Sequence, residues 1–289
     1  LSYKLSGSFS SPVLQMSNKR GGGGTFYRNF DFYLNGKKGT GVYITRKISQ
    51  VLQQRISTPV ESKISVLMSP LTVSISSEAC QVSEITGGKG SSLGKLTELS
   101  KDTRTFTVPS GIVVTTMAYK TFITEDILAK IKKLEDVLYG KVEGNVKEVC
   151  ESLRLDIENT EIPKASRKAI EMGLQRVFGE NFYSLKFAIR SSATGEDTEQ
   201  MSAAGQMDTF LGVLGLNEIL YAVKKCWASQ FGYVGIQYKR RYGQCLNSPM
   251  AVVIQEMVPC DVAGVLFTCD PLTGNPTIMT ITANYGLGE

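Results

Sequence analysis

Two stretches of this sequence set a cation among glycines or hydroxyls, the company an anion needs. The first is Gly87-Gly88-Lys89-Gly90-Ser91-Ser92-Leu93-Gly94. A glycine loop that opens a helix presents backbone N–H groups and the positive end of the helix dipole to an anion, and a lysine within it pairs with phosphate. The spacing is neither Gly-x4-Gly-Lys-Ser/Thr nor Gly-x-Gly-x-x-Gly, so the motif alone fits a plain surface loop as well. The second is Phe187-Ala188-Ile189-Arg190-Ser191-Ser192-Ala193-Thr194-Gly195-Glu196-Asp197. Here an arginine stands at the end of a short buried strand, where a charge is costly without an anionic partner. Its planar fork suits two phosphate oxygens at once, and the small residues after it let backbone come close. The competing reading is a structural tie from Arg190 to Glu196 or Asp197.

Three weaker motifs follow. Ser202 to Gly212, rich in small residues before Thr209-Phe210-Leu211, reads as a flexible hairpin able to fold over a ligand. Val252 to Pro259 is an apolar strand running into Gln255-Glu256 and then Met257-Val258. Such a joint offers backbone N–H and C=O groups to an adenine edge, or is simply an edge strand ended by proline. Gly264 to Gly274 is a strand closed by an Asp270-Pro271 turn.

Composition removes several kinds of chemistry. The chain of 289 residues has no histidine, so no Ser-His-Asp triad, histidine base or histidine-ligated metal can be built from it alone. Six cysteines without a Cys-x-x-Cys pair speak for reduced, buried thiols rather than a zinc ribbon or a disulfide framework. With 42% hydrophobic and 20% charged residues, the chain is neither disordered nor fibrous and has the apolar surface for about two domains. No run approaches the ~18 apolar residues of a membrane span. Residues 1–60 hold nine Lys/Arg against Asp31 alone, a net +8, while the other 229 residues sum to −3. Such a segment attracts anions or is a solvated basic face. Its aromatic residues are too loosely interleaved for an RNA-binding motif, so nucleic acid is not an expected partner. The chain begins at Leu1 and ends on Gly286-Leu287-Gly288-Glu289. We expect it to be a piece of a longer protein, with an upstream targeting segment left open.

The elements that must position these residues are read from periodicity. Residues 1–78 are expected to be a β-rich segment and linker. Gly21 to Gly24 is a flexible run, and Phe30, Phe32 and Leu34 alternate up to an Asn35-Gly36 turn, with 42–45 returning. From about 79 strands and helices alternate. Helices are expected over 91–100, from Ile127 to Leu138, from Ala165 to Phe178 and from Leu216 to Phe231; Thr115 or Thr116 is a cap candidate. Strands are expected at Val108–Val114, Phe187–Ile189, Met250–Val258, Ala263–Thr268 and Thr277–Ala283. The class is α/β (α+β), with a sheet-rich final third.

In this order the five motifs, closed by Tyr285-Gly286-Leu287-Gly288-Glu289, resemble the N-terminal nucleotide-binding domain of the phosphoenolpyruvate synthase, pyruvate phosphate dikinase and rifampicin phosphotransferase family, over about residues 79–289. The resemblance implies a C-terminally truncated ATP-grasp domain, with a first lobe at 79–180 and an incomplete second lobe at 181–289, preceded by the segment 1–78. It implies that Lys89 holds the ATP phosphates and that Arg190 contacts the terminal phosphates and steadies charge in transfer, which makes these two the catalytic residues. Ser192 joins them in binding; Gly205, Thr209 and Phe210 belong to a lid-like loop; Gln255, Glu256, Met257 and Val258 line the adenine pocket. Magnesium is implied on acidic residues beyond Glu289, with no metal ligand in this chain. A phospho-carrier histidine domain, an acceptor domain and a small acceptor are implied as partners. Pyruvate is the first expectation, a rifampicin-type antibiotic the second, and a degenerate nucleotide-binding module the third. The expected compartment is the cytoplasm, and the fragment is expected to be inactive alone.

Overall fold

The structure, a computed structural model, describes residues 16–20, 26–34, 37–44, 70–194, 197–198, 201–202 and 208–287. Met16–Arg20 (β1), Phe26–Leu34 (β2) and Lys37–Ile44 (β3) form an antiparallel sheet in the order β1-β2-β3. The alternating aromatic stretch is therefore a strand, and Leu34 pairs with Lys37 across the expected turn. The Asn35-Gly36 turn and the Gly21 to Gly24 run lie outside the described residues. The chain divides into two compact units, residues 64–258 and residues 1–63 with 259–289.

In the larger unit, five strands form one sheet: Thr72–Ser74 (β4), Gly111–Val114 (β5), Lys186–Ala193 (β6), Thr209–Leu214 (β9) and Met250–Glu256 (β10). Their order is β4-β5-β10-β6-β9 and every neighbouring pair is antiparallel. Between β6 and β9 in the chain, Asp197–Thr198 (β7) pairs with Met201–Ser202 (β8). The described helices are Ser83–Thr103 (α1), Thr116–Phe122 (α2), Glu125–Leu138 (α3), Val146–Asn159 (α4), Lys164–Phe178 (α5), Leu216–Ser229 (α6) and Tyr233–Arg241 (α7). Among the described residues no helix is long and apolar enough to cross a membrane.

Side chains alternate across a strand, and here the two faces differ. Phe187, Ile189, Ala193, Met250, Val252 and Ile254 enter a large core with Phe122, Leu134, Leu153, Ile170 and Trp227 from the helices. Trp227 is fully buried, its ring 4.6 Å from that of Phe122, and its Nε1–H donates to the Met250 carbonyl at 3.1 Å. The opposite face carries a small cluster of Val73, Ile75, Cys80, Val113, Ala251 and Val253, with Leu93 of α1 against it.

Helix α3 follows its expected spacing, and the Thr124 hydroxyl accepts from the Ile127 N–H at 3.3 Å as a cap. Thr115 does precede α2, yet its hydroxyl donates to the Pro70 carbonyl at 2.8 Å and ties the helix to the approach of β4 instead. In the smaller unit, Val262–Phe267 (β11) and Thr280–Tyr285 (β12) form an antiparallel hairpin, with most side chains exposed. The Asp270 turn forms: Thr273 and the Leu272 N–H donate to the Asp270 carboxylate and hold its pKa below the ordinary value. All six cysteines are free. Cys80, Cys150 and Cys226 are buried as expected, but Cys260 and Cys269 are half-buried because they flank the exposed strand β11, and Cys245 is exposed.

Candidate functional site

The glycine motif is not the expected open loop before a helix. Its glycines lie inside α1, which Gly87 breaks with φ 70° and ψ −178°, a conformation that favours glycine. A Cβ at Gly87 would stand 2.1 Å from the Ser192 carbonyl oxygen, so only glycine lets the helix approach β6 this closely. The helical path resumes at Gly88, and Lys89 sits in its first turn, half-buried. Ser192, fully buried, joins the two elements. Its hydroxyl donates to the Thr86 carbonyl at 2.7 Å and accepts the Gly90 N–H at 3.0 Å. On the other side of this segment, the Thr86 hydroxyl donates to the Cys80 carbonyl at 2.6 Å, and the Cys80 thiol donates to the Gly90 carbonyl at 3.2 Å. Burial pushes that thiol up to about 11.

Arg190 stands within β6 rather than at its end, because Arg190 to Ala193 continue to pair with Val253 to Met250 of β10. Alternation puts Ala188, Arg190 and Ser192 on the α1 face. Thr209 of β9 is the cross-strand partner of Arg190 on its other side. Among the described residues no carboxylate lies within ion-pair distance of Arg190. Glu196 and the side chain of Asp197 lie outside the described residues. The neighbouring Ser191 hydroxyl donates to the Asp208 carbonyl at 3.3 Å, and Arg154 of α4 meets the Asp208 carboxylate at 3.5 Å. Burial raises the Cys226 thiol strongly; the Asp208 carboxylate adds to that and the Lys89 ammonium opposes it. Lys89 and Asp208 are thus both within electrostatic reach of one buried sulfur.

The expected lid residues separate. Gly205 lies outside the described residues. Thr209 and Phe210 belong to the edge strand β9, not to a loop. Thr209 pairs with Arg190, whereas Phe210 turns to the large core, with the Lys225 ammonium 5.2 Å from its ring centre. At the far end of β10 the buried Gln255 side chain donates to the Pro109 carbonyl at 3.1 Å. The backbone N–H groups of Glu256 and Met257 are bonded to the Ser110 and Lys186 carbonyls, each at 3.0 Å. Val258 is exposed, and its N–H has no hydrogen-bond partner among the described residues. The Met257 thioether accepts the Gly212 N–H at 2.8 Å. Lys89, Arg190, Ser192 and Thr209 therefore gather about one face, with Gln255 further along it. Sequence reasoning missed Thr86 as the partner of Ser192 and Asp208 as the partner of Ser191; neither type nor spacing marks them, since the contacts join positions 106 and 17 apart in the chain. Among the described residues no group of three or more Cys, Asp or Glu could hold a metal ion.

Residues 83–289 match the family described as pyruvate phosphate dikinase, AMP/ATP-binding domain. The chain is 38% identical over 208 residues to a rifampicin phosphotransferase of Streptomyces sviceus, which covers 71% of this chain and 23% of that protein. It is 37% identical over 212 residues to a probable phosphoenolpyruvate synthase of Methanothermobacter thermautotrophicus, covering 71% of this chain and 30% of the relative. A phosphoenolpyruvate synthase of Pyrococcus furiosus is 31% identical over 243 residues, covering 71% and 29%. The chain spans about a quarter of the length of the curated relatives it matches.

Proposed function

Because the chain belongs to the pyruvate phosphate dikinase AMP/ATP-binding domain family, we propose that it binds ATP along the α1 face of its five-stranded sheet. The triphosphate lies at Lys89 and Arg190 and the base at the end of β10. The observation that carries this reading is the hydrogen bond from the Gly90 N–H to Ser192 Oγ. It seats a lysine-bearing helix turn beside a strand that presents an arginine on the same face, and two cations with a helix N-terminus suit a polyanion. Glu256 follows Val253, the partner of Arg190, by three positions along β10, or ~10 Å at strand rise. That leaves room for a nucleotide laid along the strand, with the Val258 N–H available to an adenine edge.

On this reading Lys89 orients the phosphates and Arg190 disperses charge on the terminal one during transfer. Thr209 borders Arg190, and Gly205 is proposed as a further residue that binds the triphosphate. Phe210 supports the edge strand from the core side. Among the described residues no carboxylate cluster suits magnesium, and its ligands are proposed elsewhere in the whole protein. There the phosphoryl group passes to a histidine on another domain and then to a small acceptor. Phosphoenolpyruvate synthase relatives favour pyruvate; rifampicin phosphotransferase relatives favour an antibiotic as the second reading. The proposed compartment is the cytoplasm.

The test is to titrate ATP and adenosine against the chain and its Lys89→Ala and Arg190→Ala variants. Each variant should lose tenfold or more in ATP affinity, about 1.4 kcal/mol, and keep its adenosine affinity. In the whole protein each should lose about 10²–10³ in turnover, as removal of one preorganised charge does. Near-normal ATP affinity in both variants would take the triphosphate off this face.

A further inference from the structure

We propose that Ser192 is a positioning residue, whose hydroxyl completes the broken helix α1 and so sets Lys89 against Arg190, without touching phosphate itself. The proposal rests on the nucleotide reading above and assigns one of its residues a different task. A serine hydroxyl has one proton to donate and two lone pairs. The Ser192 proton goes to the Thr86 carbonyl at 2.7 Å, and one lone pair takes the Gly90 N–H at 3.0 Å. What remains is an acceptor. The phosphate oxygens of ATP at neutral pH are acceptors too, so the hydroxyl has nothing left to offer them. Its side chain is also fully buried.

The two partners identify the task. In a continuous α-helix the N–H of residue 90 would bond the carbonyl of residue 86. Gly87 breaks the helix between them. Ser192 Oγ stands in that gap, receiving from the one group and donating to the other, as a side chain inserted into a helical hydrogen-bond ladder does at a kink. Thr86 and Gly90 are both buried, so without the hydroxyl each would be a buried polar group in need of a partner. They could find it in each other only by straightening the helix. That would swing Lys89, which lies between them, away from the strand that carries Arg190. The same strand supplies both Arg190 and the hydroxyl, so the two cations share one positional reference.

Ser192→Ala removes the hydroxyl and no charge. In the nucleotide-free chain, hydrogen exchange at the Gly90 amide should accelerate at least tenfold. ATP affinity should fall about tenfold, as loss of 1.4 kcal/mol implies, while adenosine affinity stays within twofold. In a Lys89→Ala background the same substitution should cost less than about threefold in ATP affinity, because the effect runs through the lysine. Ser192→Cys, which retains a donor and an acceptor, should restore most of the ATP affinity and is the variant to use if Ser192→Ala does not fold. Fully additive losses for Ser192→Ala and Lys89→Ala would overturn the proposal in favour of a direct phosphate contact. Unchanged Gly90 exchange would overturn it as well. If the wild-type chain binds no ATP, the function proposed above falls, and the exchange measurement alone decides whether the hydroxyl holds the kink.

Discussion

The two faces of the five-stranded sheet are held by different means. On the helical face, bulk does the holding: Phe122, Phe182, Phe187, Phe231 and Trp227 are all fully buried. On the α1 face the apolar cluster is small, and contact is made by backbone and short polar groups: Gly87, Gly90, Thr86 and Ser192. A face held by bulk does not aim particular polar atoms, because burial is non-directional. A face held by hydrogen bonds at 2.7 and 3.0 Å fixes atoms. The lesson is a division of labour within one layer of strands. The helical face supplies most of the stability, and the α1 face supplies geometry for the cations it presents.

The largest expected effect lies on the helical face. Trp227→Ala should cost about 3–5 kcal/mol in urea unfolding, the usual range for deleting a buried tryptophan. Molecules still folded should bind ATP as before. A weakened nucleotide affinity at constant folded fraction would mean that the two faces are not independent.

Gly87→Ala probes the other face. Its cost should be about 2–4 kcal/mol, since alanine is strained at positive φ and its Cβ would collide with backbone. Here ATP affinity should fall along with stability. A variant that unfolds more readily but binds ATP normally would show that the kink serves the fold alone.

The smallest effect concerns a polar exception beside the large core. Lys239 is buried on α7, where its ammonium donates to the Gln230 and Leu246 carbonyls at 3.3 and 2.8 Å. Burial lowers its pKa from 10.5 to about 8. The folded state therefore binds fewer protons than the unfolded state between those values. The contribution of Lys239 to stability is full above 10.5 and is lost as pH falls through 8. The buried thiols of Cys80, Cys150 and Cys226 and the Tyr119 hydroxyl are shifted upward and work in the opposite sense. They are common to wild type and Lys239→Met, so they cancel in the difference. From pH 7.5 to 10.5 the stability of wild type relative to Lys239→Met should rise by roughly 2–3 kcal/mol. A flat difference would mean that the ammonium is hydrated in the folded protein.

Much of the helical face was legible in the sequence. Ile127, Ile131, Leu134 and Leu138 recur at helical spacing and are all buried in α3. The same signal was present but unread in α4, where Cys150, Leu153 and Ile157 repeat at three and four and are buried. The α1 face was legible in its residue types and misread in its backbone. Four glycines between 87 and 94 argue against a helix at about 1 kcal/mol each relative to alanine. Close approach to Ser192, Thr86 and Cys80 nevertheless calls for glycine at 87, 90 and 94. Arg190, Ser191 and Ser192 have little strand character of their own, and it is pairing with Val253, Val252 and Ala251 that extends β6 through them.

The sequence by itself determined which residues could meet a polyanion. Lys89 and Arg190 are the cations set among glycines and hydroxyls, and charge and side-chain size are local properties that need no fold to be read. The task of Ser192 was decided only by the tertiary structure. A hydroxyl has one proton, and where that proton goes depends on which carbonyl the fold brings within 3 Å. Here it is that of Thr86, 106 positions away in the chain.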